Sequence, residues 1–248
     1  MPPAWYEEYF SEPYGEIYSE YLLPASVARE EAQLACDALE LKPGDRILDC
    51  PCGYGRHMDF LHRLFPDIIG IDLDRDCLKR GKDYSPDLKM LRGDMRELPF
   101  RAETFDAVIN LFNSFGYFSQ EENMVTLRQW HRVMKSGAGL MIDVANPEPL
   151  IDIITEHPRT QQEVFDLLLT EDWNYEPESG LLHNRTEIHL AGETKVREYS
   201  LRIYSLDELQ EMLAGADMVY ETAYGEFDGD SYDPDESTRL IVTARKAS

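Results

Sequence analysis

Between residues 46 and 145, short apolar runs alternate with amphipathic stretches, and each unit occupies about 20 to 30 residues, the length a helical crossover between parallel strands requires. Arg46 to Cys50 (RILDC) reads as a strand, followed by a glycine-containing turn and a helix carrying Met58, Leu61, Leu64 and Phe65 on one face. Ile68 to Asp72 (IIGID) is a second strand, Asp74 to Lys82 a second helix, and Leu88 to Leu91 a short third strand. Phe105 to Phe112, the helix Glu121 to Met134 and the strand Gly139 to Ala145 complete the series. Such an order of elements predicts an α/β layer structure around a parallel sheet.

The flanks follow other rules. Residues 5 to 21 hold Trp5, Tyr6, Tyr9, Phe10, Tyr14, Tyr18 and Tyr21, which fit either an amphipathic helix packed on the core or a lid closing over a ligand. Residues 161 to 204 alternate between apolar and polar positions, with Leu181 to Leu190 and Lys195 to Tyr204 separated by Ala191-Gly192-Glu193, the pattern of antiparallel strands. Ser205-Leu206-Asp207-Glu208 opens a helix with a serine cap and an acidic first turn. Two last strands are expected near Met218 to Glu226 and Thr238 to Ala244, joined by the acidic loop Phe227 to Glu236.

Composition narrows the function classes. The 248 residues carry 24 Lys and Arg against 48 Asp and Glu, a formal charge of -24, and a surface this acidic repels phosphodiesters, so no nucleic-acid partner is expected. No apolar run reaches the roughly 18 to 20 residues that span a bilayer. The start, Met1 to Phe10, is aromatic and acidic rather than basic and then apolar. A cytoplasmic protein without a membrane partner is therefore expected. Four cysteines are too few for a disulfide framework, and Cys50 and Cys52 lack the second pair of a zinc ribbon, so no metal is expected.

The chemistry concentrates in Asp49-Cys50-Pro51-Cys52-Gly53-Tyr54-Gly55-Arg56-His57. Gly53 and Gly55, between a strand and a helix, suit a close backbone approach to a ligand. Asp72 ends the next strand, where a carboxylate can accept from both ribose hydroxyls. A dinucleotide fingerprint would need a glycine at position 58, which is Met, and Asp49 ahead of the loop disfavours a pyrophosphate while suiting an ammonium group.

Taken in order, Asp49 to Gly55, Gly70-Ile71-Asp72, Gly93-Asp94-Met95, Phe105-Asp106-Ala107-Val108 and Val133 to Leu140 resemble the motif series of class I S-adenosylmethionine-dependent methyltransferases, over about residues 44 to 145. Pro51 stands where that family often has its first glycine, and Ala138 replaces a glycine of the usual turn before the fifth strand. The resemblance implies a seven-stranded, mostly parallel Rossmann-like sheet with an antiparallel edge strand, an N-terminal aromatic cap and a small antiparallel β insertion. It divides the chain into a cap (1–35), a cofactor-binding core (36–150), an insertion over the substrate site (151–204), and a helix with the last two core strands (205–248).

It further implies that the loop through Asp49, Cys52, Gly53 and Gly55 holds the methionine portion of S-adenosylmethionine, or of the product S-adenosylhomocysteine. Asp72 would take the ribose hydroxyls with Leu73 beside the adenine, Asp94 the adenine amino group, and the Met95 amide a ring nitrogen. Asn110 would present its carbonyl to the cofactor amine. The aromatic run Asn110 to Phe118, the tyrosine-rich start and the tail Tyr224 to Gly229 with Arg239 resemble a small-molecule subgroup that methylates amines or carbons. In that run Phe112, Phe115 and Phe118 are expected to pack, and Asn113 and Tyr117 to face the pocket.

Because direct displacement at a sulfonium carbon mainly needs alignment and exclusion of water, a base is optional; His57, Tyr14 and Tyr117 are the candidates, with Asn113 beside them. The reading is methyl transfer to a small molecule, with nitrogen ranked above carbon or oxygen because an acidic protein attracts a cationic amine. Protein or RNA methylation, an NAD(P)-dependent oxidoreductase and a non-catalytic cofactor binder remain open, as does an oligomer.

Overall fold

The computed structural model describes residues 5–8, 25–164, 167–190 and 192–247. Five parallel strands, β1 (Ile47–Asp49), β2 (Ile69–Asp72), β3 (Lys89–Arg92), β4 (Phe105–Asn110) and β5 (Met134–Ala145), are joined with β10 (Met218–Tyr224) and β11 (Arg239–Lys246) into one sheet. Its order is β10-β11-β5-β4-β1-β2-β3. β11 runs antiparallel to both β5 and β10, so the antiparallel strand lies one place in from the edge rather than at it. The reversal of strand order between β1–β2–β3 and β4–β5 leaves a crevice beyond the carboxyl ends of β1 and β4, the usual ligand position in open α/β sheets.

The strands read as continuous apolar runs because both sheet faces are covered. Neighbouring residues of one strand point to opposite faces: Leu48, Val108 and Leu140 pack with Trp130, Leu127 and Leu209, while Ile47, Ile109 and Met141 pack with Ala32, Ala35 and Leu61. The helices follow in chain order as α1 (Trp5–Glu8), α2 (Ala25–Ala38), α3 (Arg56–Leu61), α4 (Arg75–Tyr84), α5 (Gln120–Val133), α6 (Pro147–Glu156) and α7 (Leu206–Gly215).

Local chemistry sets their starts. Asp74 caps α4 by accepting from Cys77 N at 2.7 Å, and Ser119 and Ser205 form capping boxes with Glu122 and Glu208. α2 runs unbroken through positions 35 and 36 and buries Ala32, Leu34 and Ala35 in the core, where the sequence suggested a boundary. Leu64, expected on the inner face of α3, is half exposed, because α3 ends at Leu61 and the chain turns before Phe65 re-enters the core.

The insertion is a four-stranded antiparallel sheet, β6 (Arg159–Val164), β7 (Leu167–Glu176), β8 (Leu181–Leu190) and β9 (Glu193–Arg202), in simple meander order. Gly116 ties it to the core: its carbonyl accepts from Arg202 N at 2.9 Å, and its φ of +114° is open to glycine at low cost. No helix among the described residues is long and apolar enough to cross a membrane.

Candidate active site

A cavity of about 390 Å³ opens beyond the carboxyl ends of β1, β2 and β4, within the usual size of small-molecule sites. Asp72, at the end of β2, lines it. Its Oδ2 accepts from Gly53 N at 2.7 Å and its Oδ1 from Asp74 N at 2.8 Å, which fixes the carboxylate while leaving lone pairs for a diol. Gly53 lines the same wall with φ +54°, and a Cβ there would meet no protein atom within 4 Å, so the loop leaves open space at this point. Cys52, Leu73, Asp94 and Met95 also line the cavity.

Other expected residues sit differently. Gly55 is off the cavity wall: a Cβ would come within 2.9 Å of Leu88 Cδ1, so this left-handed N-cap of α3 serves close packing, not approach to a ligand. Asp49, expected to meet an ammonium group, lies beneath the loop, 1% exposed, and is absent from the wall. Asn110 is likewise fully buried, its Nδ2 donating to the Cys50 carbonyl at 2.8 Å. Asp94 reaches the cavity, but both its oxygens already accept from the Arg96 guanidinium, at 2.7 to 3.1 Å.

Of the base candidates, Tyr14 lies outside the described residues. His57, Tyr117 and Asn113 all line the cavity. His57 is 4% exposed and its Nε2 is 2.7 Å from Glu31 Oε2. Burial, then the neighbouring Arg56 charge, push the imidazole down to about 4, so it is neutral at physiological pH. Asn113 and Phe112 hold left-handed φ values of +56° and +70°, a conformation uncommon for side-chain-bearing residues and often kept at functional sites. The Asp143 carboxylate holds the bend by accepting from Phe112 N at 2.7 Å.

Phe115 and Phe118 are buried as expected, but Phe112 is a wall residue, its ring between the guanidinium groups of Arg56 (4.9 Å) and Arg239 (5.9 Å). Sequence reasoning missed Glu31, Arg56, Asp143, Trp173 and Tyr199. Glu31 carried one signal, an acid on the helix face otherwise made of Ala28, Ala32 and Ala35. Trp173 and Tyr199 both stand opposite Asn184 in the sheet register, so their rings share one face, with centroids 6.2 Å apart.

The polar groups of the site suit a hydrogen-bond-donating ligand. Burial raises Asp72 to about 6 and Asp49 to about 8, and neither Asp49 oxygen has a partner among the described residues. The Arg56 Nη2 is also buried without a partner there, while its Nη1 pairs with Glu31. A carboxylate for a diol, an open glycine bend and an arginine nitrogen left for a carboxylate fit the ribose and methionine portions of S-adenosylmethionine. No group of three or more His, Cys, Asp or Glu able to hold a metal occurs among the described residues.

Comparison with known proteins agrees with this geometry. Residues 47–137 match the family model of the methyltransferase domain. The demethylmenaquinone methyltransferase of Renibacterium salmoninarum is 31% identical over 139 residues, 55% of this chain and 57% of that relative, so the chain spans little more than half the relative's length. Among solved structures, the CcbJ methyltransferase from Streptomyces caelestis superposes with a TM-score of 0.82 at 17% identity, covering 99% of both chains. SAM-bound CalS10, an amino pentose methyltransferase from Micromonospora echinaspora, gives 0.70 at 17% identity over 97% of this chain and 99% of the other. Over residues 47–137 the chain is therefore similar to methyltransferase domains, and over nearly its whole length it shares the fold of solved methyltransferases.

Proposed function

We propose that the protein transfers a methyl group from S-adenosylmethionine to a small-molecule acceptor, with a nitrogen atom as the favoured site. The observation that carries this reading is Asp72, a carboxylate locked by two backbone amides at the carboxyl end of β2 and facing a cavity large enough for a nucleoside and a small acceptor. When bound, the cofactor supplies an electrophilic methyl group, whose old bonding pair stays on sulfur while the acceptor's lone pair forms the new bond.

The protein's part is to bind, orient and exclude water. Asp72 accepts from the ribose hydroxyls, and Leu73, Asp94 and the Met95 amide face the adenine. Arg56 meets the carboxylate of the methionine portion at the open loop beside Gly53. Asn113 Oδ1, a buried acceptor with no partner among the described residues, takes a hydrogen bond from the acceptor's N–H, and neutral His57 is the wall residue able to receive its proton. Nitrogen is compatible with the amino pentose named for CalS10, whose fold the chain shares; the match to a demethylmenaquinone methyltransferase keeps the acceptor's identity as a separate question.

Calorimetry with S-adenosylhomocysteine on the wild type and on Asp72→Ala tests the cofactor assignment, and a pooled metabolite screen for the gain of one methyl mass tests the acceptor class. Protection from thermal unfolding by a pyridine nucleotide, in place of S-adenosylhomocysteine, would overturn the reading.

A further inference from the structure

The part of the cavity wall formed with the antiparallel insertion is built differently from the part at Asp72. Trp5 of α1, Tyr117 after β4, Trp173 of β7 and Tyr199 of β9 converge on it from four separate segments. Trp5 stands edge-on to Tyr117 at 4.9 Å between centroids and tilted against Tyr199 at 5.7 Å, and Tyr199 stands edge-on to Trp173 at 6.2 Å. Leu150, Leu182 and Leu201 fill the spaces around them. The acidic and basic side chains on the cavity wall, Asp72, Asp94, Arg56 and His57, lie on β2, the turn after β3 and α3, the elements of the cofactor half.

Rings set at steep angles to one another turn both faces and edges toward a shared space, and ring faces attract a desolvated cation. The apolar filling disfavours a phosphate or carboxylate there, since among the described residues no Lys or Arg lines the wall beside these rings. We propose that Trp5, Tyr117, Trp173 and Tyr199 form an aromatic cage for an alkylated ammonium group, and that the acceptor is an amine flanked by apolar substituents and free of phosphate. The proposal rests on the methyltransferase reading for the identity of the acceptor, and it deepens that reading with a specific consequence. An amine that gains a methyl group through its own lone pair becomes a more alkylated ammonium, which a cage of rings holds at least as well as the starting compound, so one amine can be methylated more than once.

The test uses the full chain with S-adenosylhomocysteine at saturation, so that a probe is confined to the acceptor half. Choline is compared with 3,3-dimethylbutan-1-ol, which has the same shape without the charge, by calorimetry and by the fluorescence of the cavity tryptophans. The cage predicts that choline binds about tenfold more tightly than the neutral compound, that Trp173→Leu and Tyr199→Leu remove the preference, and that Tyr199→Phe keeps it. Equal affinity for the two probes, or no binding of either, overturns the cage even when S-adenosylhomocysteine binds normally. Failure of S-adenosylhomocysteine to bind, with the choline preference intact in its absence, overturns the cofactor reading and leaves the cage standing.

Discussion

Glu31 of α2 and His57 of α3 meet through a 2.7 Å contact between Oε2 and Nε2 behind the cavity wall, and the same carboxylate oxygen pairs with Arg56. Burial alone would raise Glu31; its bonds to His57 and the Arg56 charge outweigh that and hold it below the ordinary glutamate value. One carboxylate therefore sets the position of two wall residues at the start of α3.

Replacing Glu31 by Gln leaves the buried Arg56 guanidinium without its counter-charge. The expected loss is about 3–5 kcal/mol, the scale for breaking a buried ion pair by removing one partner. Denaturant unfolding measures it, and a loss below about 1 kcal/mol would show that Arg56 finds another partner or water.

Asp49 gives the opposite sign. Burial raises its carboxyl from an ordinary 3.8 to about 8, so between those values the folded protein holds a proton that the unfolded chain has released. Its contribution to stability therefore falls as pH rises through this window and is at its least favourable above pH 8. In the ligand-free protein, Asp49→Asn should be the more stable form at pH 9 by roughly 1–3 kcal/mol, the cost of an unsatisfied buried group, and nearly equal to wild type at pH 5. Denaturation midpoints at the two pH values decide it; parallel profiles for the two proteins would contradict the assignment.

Asp72→Ala should weaken S-adenosylhomocysteine binding by about 1–3 kcal/mol, the scale of hydrogen bonds to a charged group. In the free protein the carboxyl is raised to about 6, chiefly by burial, and hydroxyl donors favour its ionised form. Affinity in the wild type should thus increase from pH 5 to pH 7 with proton release on binding, whereas Asp72→Asn should lack this part of the pH dependence. Calorimetry in buffers of different ionisation enthalpy reads the released protons directly.

Gly116 joins the core to the insertion, and an added Cβ would overlap the Arg202 carbonyl while the backbone sits at φ +114°. Gly116→Ala should cost about 2–4 kcal/mol, combining overpacking with a left-handed backbone. Because Tyr117 follows directly, acceptor binding should weaken more than cofactor binding, which titrations of choline and S-adenosylhomocysteine on the same variant can compare.

The core was legible because its signals are local. A strand buried on both faces must be an apolar run, a helix over it must repeat its apolar residues every three or four positions, and Ser119, Ser205 and Asp74 announce helix starts through bonds within one turn. Asp72 was legible for a similar reason, as a carboxylate at the end of an apolar strand needs partners, and Gly53 N and Asp74 N are the ones it has. Gly55 was misjudged because a glycine kept for close packing against Leu88 and one kept for a ligand look alike in one dimension.

What the chain alone determined, then, was the alternation of elements, the end of the sheet at which the cavity opens and the likeness to a methyltransferase motif series, all of which rest on local spacings. Only the tertiary structure decided that Asp49 and Asn110 lie behind the cavity wall, that Glu31 steers Arg56 and His57, and that Trp5, Tyr117, Trp173 and Tyr199 share one space. The physical reason is distance along the chain: burial and ring packing depend on which segments meet, and α1, the end of β4, β7 and β9 meet only after the sheet has formed and the insertion has folded back over it.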